Sequence, residues 1–306
     1  MKKFILSFLS VILLIACNPQ KSLDLLSGHM NFNEGKIYYE IHGSHNTNSD
    51  PIFIIHGGPA MDHTYLTPQL FELAKHHTVI FYDQRGAGKS TDTVYDKEHI
   101  SNASYLRDLE ALRKHLGYNK ITVFGHSYGG HLAMQYAFTY PSHVSHLILA
   151  NSSGVDLAGV NKFLEETQRR AKPIQDKLDK IINSPAYKAH SLPETHEYLD
   201  LIFSLFFYDK SKFKELTPDT LAGYWDTAPL MADFWTTPFD FRADLQKLNI
   251  PTLIIHGKED VVPLSVAEDI HKAIPGSKLV IIEDSDHFPY IEKPSEFFEA
   301  IEKFLK

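Results

Sequence analysis

One pentapeptide limits what this chain can fold into more than any other feature. Gly125-His126-Ser127-Tyr128-Gly129 directly follows the apolar run 121–124 and directly precedes a helix-compatible segment, 131–140. The pattern G-x-S-x-G works only in such a strand–turn–helix setting, because its serine sits on a sharp turn whose neighbours must lack bulk. Gly125 and Gly129 leave that room, and Gly130 adds to it. The turn lifts the serine hydroxyl above a sheet, next to a helix N-terminus with free N–H donors and the positive end of a dipole. Ser127 is therefore the candidate nucleophile.

The surrounding sequence supplies the sheet. Residues 36–41 are rich in β-branched and aromatic side chains, as strands are. Short continuous apolar runs follow at 52–55, 78–81, 121–124 and 144–149, the texture of parallel strands buried on both faces. Between them, segment 105–116 sets Leu106, Leu109, Leu112, Arg113 and Leu116 at helical spacing. Strands alternating with helices predict an α/β domain with a mostly parallel sheet flanked by helices. From Ser153 the texture changes to charged helical stretches with many aromatics, including both tryptophans, Trp225 and Trp235. Strand runs return at 252–256 and 278–282, and an amphipathic helix is expected over 294–304. The expected division is an α/β core of 29–152 and 243–306, interrupted by a helical cap over 153–242.

The chain's 306 residues, 43% hydrophobic, can bury a core of that size, and its net charge of −8 argues against a nucleic-acid partner. The first residues read separately. Lys2 and Lys3 precede an apolar stretch, 4–15, that is shorter than the ~20 residues needed to span a bilayer. Leu14-Ile15-Ala16-Cys17 resembles the lipobox of bacterial lipoproteins. That resemblance implies a signal peptide over 1–17, lipid on Cys17, a tether over 18–28, and anchoring to a membrane of the bacterial cell envelope. Cys17 is the only cysteine, so no intramolecular disulfide can form.

A second glycine turn, His56-Gly57-Gly58-Pro59, follows the run 52–55. Together with the serine turn it resembles the α/β-hydrolase fold, in which such a turn supplies one oxyanion N–H and the residue after the nucleophile supplies the other. Gly58 and Tyr128 are the expected donors, with Gly57 the runner-up. The fold's chain order is Ser, then Asp or Glu, then His. Asp260 lies just beyond the run 252–256, where ligand chemistry sits in open α/β sheets, and is the expected acid. Glu259 is the alternative. His287, beyond the run 278–282, is the expected base. Asp284 and Asp286 read as loop-shaping residues, and His56 and His126 as turn-shaping ones.

Other motif-like stretches fail their own patterns. Gly86-Ala87-Gly88-Lys89-Ser90 lacks the earlier glycine of a phosphate loop, since that position is Asp83. His196-Glu197 has Asp200 where a zinc motif needs a second histidine. No metal or other cofactor is expected.

Three motifs carry a closer resemblance, to the proline iminopeptidase branch of serine aminopeptidases. His56-Gly57-Gly58-Pro59-Ala60 looks like its H-G-G-P-G, Asp83 to Ser90 like its D-Q-R-G-x-G-x-S, and 125–130 like its elbow. The resemblance implies removal of an N-terminal residue, often proline, from short peptides through an acyl-enzyme. It also implies a cap whose acids hold the substrate's amine, with Asp83 and Arg85 supporting a turn. Glu197 and Asp226, with Asp200 and Asp233, are the candidate amine ligands, and Trp225 and Trp235 candidate walls of an apolar pocket. Two positions depart. Ala60 replaces a glycine, so that loop is expected to sit differently, and Val261 stands where some members carry an amine-binding Glu. A carboxylesterase or amidase acting on small acyl compounds is the alternative. A non-catalytic binding protein on the same scaffold is the rival from another class.

Overall fold

The computed structural model describes residues 25–32, 35–43, 50–216 and 221–306. The expected signal segment with Cys17, and residues 18–24 of the expected tether, lie outside the described residues. Residues 26–28 of that tether are not free chain. They open strand β1 (Leu26–Phe32), which pairs antiparallel with β2 (Gly35–His42). Only Met30 of β1 is buried. An edge strand held by backbone hydrogen bonds needs no apolar run, which is why hydrophobic periodicity does not reveal it.

Among the described residues the strands form one eight-stranded sheet. The remaining six are β3 (Ile52–Ile55), β4 (Val79–Tyr82), β5 (Ile121–His126), β6 (Val144–Ala150), β7 (Thr252–Gly257) and β8 (Lys278–Ile282). Their spatial order is β1-β2-β4-β3-β5-β6-β7-β8, parallel from β4 onward. The apolar runs are continuous because both faces are covered. Phe53, Ile55 and Val123 meet the helices α1 (Asn102–His115) and α2 (Tyr128–Thr139) through Leu109, Leu112 and Leu132. Ile52, Ile54 and Phe124 point into the opposite core with Leu70, Phe297 and Ile301.

Between β6 and β7 the chain leaves the sheet as helices α3 (Leu157–Ala171), α4 (Gln175–Ile182), α5 (Pro185–Lys188), α6 (Leu192–Ser204) and α7 (Tyr224–Thr227), and returns through α8 (Arg242–Leu245). Asp156 caps α3 by accepting a hydrogen bond from Gly159 N–H at 2.8 Å. The core closes with α9 (Leu264–Ala273), α10 (Pro289–Glu292) and α11 (Pro294–Leu305). No described helix is long and apolar enough to cross a membrane.

The topology fixes where chemistry can occur. From β3 the chain steps to β4 on one side, then to β5 on the other, so the strand order reverses at β3. Ligand sites of open α/β sheets lie at the carboxyl edge of such a switch. Ile55 is in register with Gly125, and His126 with Ala150. The glycine turn after β3 and the serine turn after β5 therefore leave the sheet side by side. The turns after β7 and β8 open on the same edge.

Candidate active site

Ser127 occupies φ 57°, ψ −122°, a strained backbone for any residue with a Cβ. Its N–H donates to Ala150 O at 3.1 Å, and its carbonyl accepts from Gly130 N–H at 2.9 Å and Ser153 N–H at 3.1 Å. The flanking glycines are a steric necessity. A Cβ on Gly129 would lie 2.1 Å from Ile55 O, and one on Gly125 would lie 2.4 Å from Gly129 O. Helix α2 begins at Tyr128, so its first N–H groups are those next to the Ser127 side chain.

Asp260 and His287 come from turns after different strands and meet, Oδ1 to Nδ1, at 2.9 Å with both side chains buried. A carboxylate can only accept, so Nδ1 carries the proton and Nε2 is the imidazole's free acceptor. The same Asp260 Oδ1 accepts from Val262 N–H at 2.9 Å, and Oδ2 accepts from Asn151 Nδ2 at 2.6 Å. Burial pushes the Asp260 carboxyl up to about 6. Burial first, and then the charge of Arg170, push His287 down to about 3. The resting imidazole is therefore neutral, as a general base must be. Glu259, the alternative acid, accepts instead from Ser285 N–H at 3.2 Å. Asp286 shapes the neighbouring turn by accepting from Val261 N–H at 2.8 Å.

The glycine turn is wired to this pair. Gly57 N–H donates to the Tyr65 hydroxyl at 2.6 Å and is engaged there. Gly58, at φ 56°, lines the cavity beside Ser127. Tyr65 Oη lies 2.8 Å from His126 Nδ1, and His126 Nε2 lies 2.9 Å from the His287 carbonyl. That carbonyl can only accept, so Nε2–H donates to it and Nδ1 accepts from the phenol. One relay thus joins the glycine turn, the serine turn and the histidine turn. His56 ties the glycine turn to the turn after β4: its Nε2 accepts from Gln84 N–H at 3.0 Å. Asp83 holds its turn through His63 at 2.6 Å and Lys89 N–H at 2.8 Å, while Arg85 forks onto Asp108.

Ala60 adopts φ 79°, a left-handed conformation that favours glycine, instead of leaving that region. An L-residue there carries about 1–2 kcal/mol of strain, of which glycine's greater unfolded-state entropy returns about half. Ala60→Gly should therefore stabilise the protein by about 1 kcal/mol, read as a higher urea midpoint at unchanged slope. A lower midpoint would mean the Ala60 methyl, which is buried, contributes more through packing than it costs in strain.

Ser127, His287, Gly58 and Tyr128 line one cavity of about 300 Å³. Its roof comes from the insertion: Val160 and Phe163 of α3, Leu199, Ile202 and Phe203 of α6, and Phe234 and Trp235. Among the described residues no aspartate or glutamate lines it. Trp235 is in the wall, but Trp225 is not. Trp225 stacks on His190 at 4.2 Å and donates to Thr195 Oγ1 at 3.0 Å, packing the insertion's own interior. Glu197 faces solvent 3.8 Å from Lys177, and Asp226 is exposed. Both lie on outward faces of their helices, which sequence spacing alone could not orient. Among the described residues no group of three His, Cys, Asp or Glu side chains could hold a metal ion.

The sequence pattern of the family described as alpha/beta hydrolase fold matches residues 50–294. The chain belongs to the α/β-hydrolase family. Within it, this hydrolase is 34% identical to a protein named proline iminopeptidase from Saccharolobus solfataricus over 93% of each chain. It is 28% identical to one of the same name from Clostridium botulinum, covering 92% of this chain and 99% of that one. It is a proline iminopeptidase-like serine hydrolase. Among solved structures, an α/β fold family hydrolase from Bacillus anthracis superposes with a TM-score of 0.69 at 21% identity, covering 92% and 99% of the two chains.

Two residues of the hydrolase's site are invisible to motif reading. Asn151 follows β6 at the same carboxyl edge as Asp260, so its strand-end position was a usable signal. Tyr65 stands in a short 3-10 turn with no pattern around it, and only the fold brings it to His126.

Proposed function

We propose that this hydrolase cleaves acyl bonds through a covalent intermediate on Ser127, releasing N-terminal residues from short peptides as its iminopeptidase relatives' name describes. The shared cavity supports this, because Ser127, His287, Gly58 and Tyr128 all line the same space. His287 Nε2 takes the hydroxyl proton as Ser127 Oγ attacks the carbonyl carbon. The N–H groups of Gly58 and Tyr128 hold the oxygen on which charge develops. His287 then gives its proton to the leaving nitrogen and activates water for deacylation, while Asp260 keeps the imidazole in the tautomer that leaves Nε2 free. Segment 153–242 serves as the cap that roofs the acyl group.

A second reading is favoured by one specific observation, that among the described residues no carboxylate stands in the cavity wall. A protonated amine buried there would have no counter-charge. Val261 is buried with its N–H on Asp286, and Asp200, Asp226, Asp233 and Glu197 are all exposed. An esterase or amidase acting on uncharged apolar acyl groups fits such walls. The two readings separate on prolyl p-nitroanilide with a free amine, its N-acetylated form, and p-nitrophenyl esters. Cleavage of the free amine alone supports the aminopeptidase. Equal cleavage of both anilides, or of esters only, supports the second reading. A binding protein without catalysis would leave Ser127 unlabelled by a fluorophosphonate.

We also propose that residues 1–17 direct export and that Cys17 carries the lipid that anchors the enzyme to a bacterial envelope membrane, through the tether-like residues after it. Cys17→Ala should shift the protein from the membrane fraction to the soluble one. Retention in the membrane fraction would rule the anchor out.

A further inference from the structure

Arg170 lies near the C-terminal end of α3, in the insertion, yet its guanidinium reaches both turns that carry the Asp260–His287 pair. Its Nη2 donates to the Glu259 carbonyl at 2.6 Å, next to Asp260. Its Nη1 donates to Asp286 Oδ2, next to His287, and to the Leu205 carbonyl at 3.0 Å. The residue after Leu205 continues the connection: the Phe206 carbonyl accepts from His287 N–H at 3.2 Å. The side chain of Arg170 is 16% exposed and that of Asp286 3%, so solvent screens this pair weakly. We propose that Arg170 is a positioning residue of the reaction: it locks the cap onto the acid and histidine turns and sets a positive charge beside the buried carboxylates that flank His287. The proposal rests on the acyl-enzyme reading above and adds to it that catalysis depends on the cap being seated.

Glu166, on the same helix, accepts from Arg170 Nε at 2.8 Å. From the other elements come Asp286 and Asp260, with Glu292 behind Asp286, His256 3.4 Å from Asp260, and Lys210, whose ammonium shares the Leu205 carbonyl. Burial, and then neighbouring Asp260, raise Asp286 to about 7, and Arg170 opposes both. Arg170 also lowers Asp260 and His287. Removing its charge raises the proton affinity of all three groups. Every one of those changes moves the loss of reactivity on the acid side to higher pH.

The test uses the rate of fluorophosphonate labelling of Ser127 from pH 5 to 9, which needs no natural substrate, on the wild type, Arg170→Gln and Arg170→Lys, each checked for native circular dichroism. Arg170→Gln should slow labelling at pH 7 by about 10²-fold, the usual consequence of an ångström-scale misplacement. Its acid limb should move up by about one pH unit. Arg170→Lys keeps the charge and loses the fork, so its limb should stay near that of the wild type while its rate remains depressed. Arg170→Gln matching the wild type in rate and limb overturns the proposal, as does a limb that moves equally in both variants. Should Arg170→Gln fail to fold, Arg170→Lys decides on rate and limb together: a depressed rate with a wild-type limb supports the proposal, and a wild-type rate or a shifted limb overturns it. A wild type that the probe does not label overturns the acyl-enzyme reading, and this proposal with it.

Discussion

Ser127→Ala is expected to abolish turnover, by about 10⁴–10⁶-fold in kcat, while leaving the protein as stable as before. The two halves of that expectation have separate physical sources. The serine's backbone is fixed by hydrogen bonds that its hydroxyl does not make, to Ala150, Gly130 and Ser153. Its positive φ is enforced by the tight packing of Gly125 and Gly129 against each other and against β3. Alanine carries the same Cβ and inherits the same strain, so the turn survives. What disappears is the hydroxyl proposed to form the acyl-enzyme. The residual rate would come from water held between His287 and the two amides. Steady-state kinetics with a chromogenic ester and a thermal melt of the same preparation read both halves. A rate within tenfold of wild type would place the nucleophile elsewhere, and a large fall in melting temperature would show that the hydroxyl carries structure.

Asp260→Asn should cost about 10⁴-fold in kcat with the fold intact. Asp260 accepts three hydrogen bonds, from Val262 N–H, Asn151 Nδ2 and His287 Nδ1. An asparagine must turn its NH2 toward one side. On the Oδ2 side it meets the donor of Asn151. On the Oδ1 side it meets the donors of Val262 and His287. The imidazole is the partner able to respond, by moving its proton to Nε2, and in that tautomer it cannot accept from Ser127. The wild type should also lose kcat/KM as pH falls through about 6, where burial places the Asp260 titration. There the Asp260–Asp286–His287 cluster takes up a proton and the pair stops working as a base. The direction follows from the raised carboxyl: ionised and active above that pH, protonated and inactive below it. In Asp260→Asn this dependence should flatten or move. A pH–rate profile on both proteins checks it, and a mutant with wild-type kcat would shift the acid's role to another carboxylate.

The α/β architecture was legible along the chain because strands covered on both faces must be apolar throughout. The runs at 52–55, 121–124, 144–149 and 252–256 each fall in an interior strand of the sheet, and 278–282 falls in β8 at its edge. The nucleophile turn, the glycine turn and the order Ser127, Asp260, His287 were legible for a related reason. Each stands directly after such a run, so its place at the sheet's carboxyl edge follows from sequence order. The first strand was missed, because with Met30 its only buried residue it leaves no hydrophobic trace. Segment 153–242 could be read as helical, but which helix faces turn inward could not.

Local sequence, then, determined everything that a strand and the turn after it settle within a few residues: the sheet, the strained serine, and the amide and imidazole groups at the strand ends. The tertiary structure alone decided what depends on contacts between distant segments. It put Asn151 behind Asp260, joined Tyr65 and His126 into a relay, and set Arg170 across both turns. It also left no carboxylate among the described residues of the cavity wall, although the insertion is rich in acids. The reason is geometric. Helical periodicity gives the spacing of side chains but not the rotation of one helix against another, and that rotation is fixed only when aromatic side chains such as Phe163, Phe206 and Trp235 pack together.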